Sequence, residues 1–149
     1  MRLALAAAAA TLTATPAFSA AEDVFGYWLT ENQKAIVQVE PCGAQACGKI
    51  VWLAEPNDPA TGAPKVDANN EDAAMQARPI CGMPMIGNFA QDGDRWDDGF
   101  IYDPQSGDTY TSKMHVNDAG KLYVRGYVGI SLFGKSQEWT RVADARGGC

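Results

Sequence analysis

The segments Gly26-Tyr27-Trp28 and Trp139-Thr140-Arg141 stand at the two ends of the chain that follows an Ala-rich leader, with strand-like runs between them. An arginine can lay its guanidinium across the face of a tryptophan, and a closed antiparallel barrel brings its first and last strands side by side. The two segments therefore predict an all-β fold in which Trp28 and Arg141 meet at the barrel seam and close one end.

The runs between them fit such a meander. Tyr110, Met114 and Val116 occupy even positions of 109–116, and Thr109, Thr111, Lys113 and His115 the odd ones. A period of two marks a half-buried strand. Leu122, Val124 and Val128 alternate in the same way with Lys121, Tyr123, Arg125 and Tyr127, and Asn117-Asp118-Ala119-Gly120 supplies the hairpin turn between the runs. Asp103-Pro104-Gln105-Ser106-Gly107 is another turn, since Pro presets φ and Gly accepts a positive one. Continued along the chain, the pattern predicts eight antiparallel strands at about 24–30, 34–40, 47–53, 83–89, 95–102, 109–116, 121–128 and 135–142. Only 54–80 breaks the rhythm. Its Pro, Asn, Asp and Gly content reads as one long irregular loop, with one or two helical turns over Glu71 to Ala77.

The leader sets the compartment. Arg2 is followed by an uncharged stretch over 3–18 and by the small residues Ala17, Ser19, Ala20 and Ala21, the composition of a signal peptide spanning 1–21. The stretch is rich in Ala and Thr and broken by Pro16, unlike the roughly 20 strongly apolar residues of a membrane anchor. Cleavage falls after Ala21, or after Ser19 with Ala17 and Ser19 as the small residues. No cysteine lies near this junction, which argues against a lipid anchor. Residues 22–149 then form one soluble, periplasmic or secreted domain with a core large enough to fold alone. The chain carries 18 acidic residues against 12 Lys and Arg, a net charge of −6, and loss of Arg2 makes it one unit more negative. Such a surface repels phosphate backbones and anionic headgroups, so neither nucleic acid nor a membrane is an expected partner.

Four cysteines suit an oxidising destination. Cys42 and Cys47 flank Gly43-Ala44-Gln45-Ala46 between two β-like runs, where a disulfide can staple the hairpin. A redox pair favours two intervening residues, and a metal site needs further ligands. By elimination Cys81 is left for Cys149. Four cysteines nevertheless allow three pairings, and Cys149 at the chain end could stay free or be trimmed away.

No catalytic constellation emerges, and none of the residues calls for a metal or cofactor. His115 is the only histidine and falls on the polar face of a strand, the place of a surface residue rather than a general base. Ser112 and Ser131 lack a local nucleophile motif. The acidic stretch Asp92-Gly93-Asp94-Arg95-Trp96-Asp97-Asp98-Gly99 superficially suggests a calcium loop. It fails on spacing, because Trp96 stands where an oxygen ligand should alternate and no bidentate Glu follows, so it reads as a solvated turn.

Together, Gly26-Tyr27-Trp28, Cys47-Gly48-Lys49-Ile50-Val51-Trp52-Leu53, Arg78-Pro79, Gly99-Phe100-Ile101-Tyr102-Asp103-Pro104, Gly107, Tyr110, Arg125-Gly126-Tyr127-Val128-Gly129, Leu132-Phe133-Gly134 and Trp139-Thr140-Arg141 resemble domain-of-unknown-function family 2147. The resemblance implies a secreted or periplasmic bacterial protein with a small lipocalin-like, calycin-type β-barrel and no established reaction. Cys81 and Cys149 stand outside the matching motifs.

Eight strands enclose an interior just wide enough for side chains or for one small ligand. Two non-enzymatic functions follow. In the first, the barrel binds a small hydrophobic or amphipathic molecule, with Trp52, Trp96, Tyr102, Tyr110, Met114 and Phe133 lining its wall or rim. In the second, the interior is filled and the protein acts through its surface, as an inhibitor or as a module that contacts an envelope protein. The apolar loop Gly129-Ile130-Ser131-Leu132-Phe133-Gly134 either folds over the core or forms a lip for a ligand or partner. How the interior is filled separates the two.

Overall fold

The computed structural model describes residues 20–149, the side chain of Phe133 excepted; the expected leader, apart from Ala20 and Ala21, lies outside the described residues. A 3-10 turn, Ala20–Val24, leads into eight strands: β1 (Gly26–Leu29), β2 (Ala35–Cys42), β3 (Gln45–Leu53), β4 (Pro84–Asp92), β5 (Arg95–Asp103), β6 (Asp108–Val116), β7 (Leu122–Tyr127) and β8 (Lys135–Val142). Each pairs antiparallel with the next, and β8 pairs with β1 to close the barrel. In that closing ladder Trp28 stands opposite Arg141.

Local chemistry fixes the hairpins. The Asn117 side-chain carbonyl accepts the N–H groups of Ala119 at 3.1 Å and Lys121 at 3.0 Å, turning the chain from β6 into β7. Asp103 does the same for Gln105 at 2.9 Å, and Gly107 finishes that turn at φ +81°. A side chain at Gly107 would run into the Asn69 carbonyl, so this glycine also lets the long loop dock.

Two expectations are corrected. The segment 71–77 forms successive hydrogen-bonded turns and no helix. Asn70 Oδ1 accepts the Asp72 N–H and Asp72 Oδ1 accepts the Ala74 N–H, so short polar side chains capture donors that a helix would need. Val128 lies beyond the end of β7 and is 73% exposed. The inward row of β7 continues from Leu122 and Val124 to Gly126, and the chain leaves the sheet after Tyr127, which still pairs with Thr111.

Side chains occupy the interior. Trp28, Phe89, Trp96, Met114, Leu122 and Trp139 are buried and belong to one cluster. Phe89 lies against Gly99, where a Cβ would overlap its ring. A second cluster places Met83 and Ile80, from the end of the 54–83 connection, against Ala35, Ile50 and Tyr102.

Candidate functional site

The meander sorts its connections between two ends. At the end where β1 starts and β8 finishes, Trp28 Nε1 donates to the Val24 carbonyl at 2.7 Å, and Trp96 Nε1 donates to the Ala21 carbonyl at 2.7 Å. Both indoles are buried, so each N–H would be orphaned without that acceptor. Arg141 lies 4.2 Å from the centre of the Trp28 ring and donates to the carbonyls of Phe25 and Asp23. The N-terminal turn is thereby bolted across this end.

At the opposite end the 54–83 connection is locked to the barrel through a buried carboxylate. Asp67 accepts from Tyr102 Oη at 2.6 Å, from Asn70 Nδ2 at 2.8 Å and from Arg78 Nη2 at 2.8 Å. Burial alone would raise the Asp67 pKa; hydrogen bonds from Tyr102, Arg78 and Asn70 outweigh it and hold the carboxyl below its ordinary value. Burial, followed by the Asp67 hydrogen bond and charge, pushes Tyr102 up to about 12. Asn69 Nδ2 donates to the Gln105 carbonyl at 2.8 Å and so ties the same segment to the β5–β6 turn. Within the barrel wall, Ser112 Oγ is buried and has no hydrogen-bond partner among the described residues. Its register neighbours on either side, Gly99 and Gly126, carry no side chain.

Also at this end, the β7–β8 connection forms an apolar rim. Ile130 is 59% and Leu132 76% exposed, and Val128 just before them in the chain is exposed as well. The rim is held from below: Arg125 Nε donates to the Ser131 carbonyl at 2.8 Å, its Nη2 to the Leu132 carbonyl at 3.4 Å and its Nη1 to Ser136 Oγ at 2.7 Å.

Five of the six residues expected to line a ligand site have described side chains, and they stand in different surroundings. Trp96 and Met114 belong to the core cluster, and Tyr102 is engaged with Asp67. The half-buried Tyr110 donates to Asp108 Oδ2 at 3.3 Å. Trp52 lies on β3 with the Arg146 guanidinium 5.0 Å from its ring centre. Phe133 ends the 3-10 turn Ser131–Phe133, and the expectation for its side chain concerns a group outside the described set. Disulfides join Cys42 to Cys47 and Cys81 to Cys149, the second tying the C-terminal tail to the start of β4.

Sequence reasoning missed Asp67, Asn70 and the clamp made by Arg125. Arg78 entered only within a motif. The available signal was Asp67-Ala68-Asn69-Asn70 in a loop that also holds Arg78, a mixture equally typical of a solvated turn.

A bacterial family described as "uncharacterized protein conserved in bacteria (DUF2147)" has a sequence profile that matches residues 26–141. No curated protein matches the chain. Among solved structures, protein HP1028 from the human pathogen Helicobacter pylori, described as belonging to the lipocalin family, is similar with a TM-score of 0.68. The identity is 20%, over 83% of this chain and 85% of that one, a likeness of fold.

Proposed function

The chain belongs to the uncharacterized bacterial family DUF2147, and from that premise we propose a non-enzymatic, extracytoplasmic binding protein that engages its partner at the β7–β8 rim. The observation that carries this reading is the contrast between a side-chain-filled interior and the exposed Val128, Ile130 and Leu132 on a connection fixed by Arg125. Three large apolar side chains exposed within five residues of one connection are more than the single exposed hydrophobics that a surface ordinarily carries. Holding the connection in shape beforehand reduces the ordering cost of binding. Two disulfides suit an oxidising compartment.

A second reading, a small hydrophobic or amphipathic ligand inside the barrel, is favoured by one observation. The unpartnered Ser112 hydroxyl faces the same side of β6 as the core residue Met114, beside two glycines, where a guest could supply the missing hydrogen bond.

Native mass spectrometry with solvent extraction, run beside cross-linking in an envelope fraction, tests both. The rim reading expects a bare protein that fails to bind fluorescent fatty-acid probes. It also expects cross-links that disappear when Ile130→Glu and Leu132→Glu are combined in a protein that still folds. An extractable passenger retained by that double variant and lost on Ser112→Ala would overturn the rim in favour of the interior.

A further inference from the structure

We infer that the outer wall of β5, β6 and β7 carries a binding site for a small oxyanion group, gripped by Arg95 and Lys113 with Arg125 behind them. A cleft of about 180 Å³ opens there, lined by these three cations together with Asp97, His115 and Tyr123. The cleft opens on the outer wall rather than at the rim, and shares with the rim only Arg125, whose donors hold the Ser131 and Leu132 carbonyls, while Met114 forms its floor from the core side.

Charge placement is the first argument. Lys113 and Arg125 stand directly opposite each other in the β6–β7 ladder, an arrangement that is unfavourable for like charges. The ion pairs formed among the described residues lie elsewhere, at Lys49–Glu40, Lys65–Glu55 and Arg78–Asp67, so Arg95, Lys113 and Arg125 have no carboxylate within pairing distance. Arg125 spends its donors on two carbonyls and a hydroxyl, which satisfy its N–H groups without neutralising its charge. Asp97 is the one carboxylate that lines the cleft; Asp94 acts on it from the β4–β5 turn and Asp92 stands opposite Arg95 in that ladder, and neither pairs with a cation. The cleft wall itself gathers three cations on a chain whose net charge is −6.

Shape is the second argument. His115 tilts against Tyr123 with ring centres 5.0 Å apart, and Tyr123 Oη meets Ser136 Oγ at 2.6 Å, which gives the cleft one ordered wall. Guanidinium and ammonium donors converging from two strands suit the oxygens of a sulfate, phosphate or carboxylate group. The field is felt by the imidazole. Burial lowers the His115 pKa first, the charges of Arg95 and Lys113 lower it further, and Asp94 and Asp97 oppose them.

His115 is the only histidine, so its ring resonances report on this cleft without overlap. The full chain without its leader is titrated with sodium sulfate, against sodium chloride at matched ionic strength, while the His115 midpoint is followed by NMR. Sulfate should shift the ring signals saturably and raise the midpoint by about half a unit, because a bound anion offsets Arg95 and Lys113. Arg95→Gln, at an exposed position, and Lys113→Gln, at a half-buried one, should each weaken the sulfate dependence roughly ten-fold, and Lys113→Arg should retain it. Phosphatidylglycerol vesicles that produce the same shift would assign the group to a lipid headgroup; vesicles without effect beside active sulfate would assign it to a soluble anion. A shift that never saturates, equals that of chloride, or survives both Gln variants overturns the site.

Discussion

Arg141 covers Trp28 across the β1–β8 seam, with its guanidinium carbon 4.2 Å from the ring centre and its donors on the carbonyls of Asp23 and Phe25. One side chain therefore joins three parts of the closed end: the last strand, the first strand and the turn that precedes it. A lysine could supply the charge but not the planar fork that serves ring and carbonyls together.

Arg141→Ala should accordingly destabilise the barrel by roughly 1–2 kcal/mol, from lost cation–π contact, stem packing and carbonyl partners. Urea denaturation measures it, and Arg141→Lys should recover only part of the loss. An unchanged midpoint in the Ala variant would remove the closure argument.

The Cys81–Cys149 bond ties the tail to the barrel across a sequence separation of 68 residues and keeps Arg146 near Trp52. Closing a loop of that length restricts the unfolded chain strongly, so Cys149→Ser should cost about 2–4 kcal/mol. The variant should also shift Trp52 emission, since the cation leaves its ring. Peptide mapping of unreduced protein should recover Cys42 with Cys47 and Cys81 with Cys149; free thiols at either pair would contradict the arrangement.

The Asp67 lock predicts opposite responses to acid and alkali. Its carboxyl titrates below the ordinary 3.8 in the folded state, so its stabilisation is present above that value and is lost as pH falls through the folded one. Tyr102 is raised from 10.0 to about 12, so its contribution is complete below 10 and is lost as pH rises toward 12. Asp67→Asn should lower stability at neutral pH by roughly 3 kcal/mol, because Arg78 keeps its charge without its partner. The same variant should flatten the decline in urea midpoint below about pH 4. A decline as steep as in the parent chain would show that other carboxylates govern acid unfolding.

The strands were legible because each sheet face repeats every second residue, as Lys113 and His115 against Met114 illustrate. The pattern cannot show where pairing stops, and so it carried Val128 into β7 although the chain has left the ladder by then. The Asp67 network was hidden for another reason. Its burial depends on Tyr102, 35 residues further along, and no local window tells a buried aspartate from a solvated one. Arg125 posed the same difficulty, since its value lies in carbonyls of a connection that its own strand does not specify.

The start of the folded chain matters as much as its seam. The proposed extracytoplasmic role requires removal of a leader, and the sequence expectation offers two cleavage points, after Ser19 and after Ala21. They are not equivalent for the barrel. Ala21 is buried, and its carbonyl accepts the buried Trp96 indole N–H at 2.7 Å, while Ala20 is exposed and can carry a new ammonium group in water. Removing Ala21 leaves Trp96 Nε1 without its acceptor, a loss of about 1–3 kcal/mol. A chain beginning at Ala20 should therefore be more stable by that amount than one beginning at Glu22. In Trp96→Phe, which has no N–H to satisfy, the difference between the two starts should shrink to the small contribution of the Ala21 methyl. Equal urea midpoints for the two starts in the parent chain would mean that water replaces the Ala21 carbonyl. Intact-mass measurement of the protein recovered from the periplasmic fraction tests the proposed export and shows which start is used; an intact leader there would overturn both cleavage points.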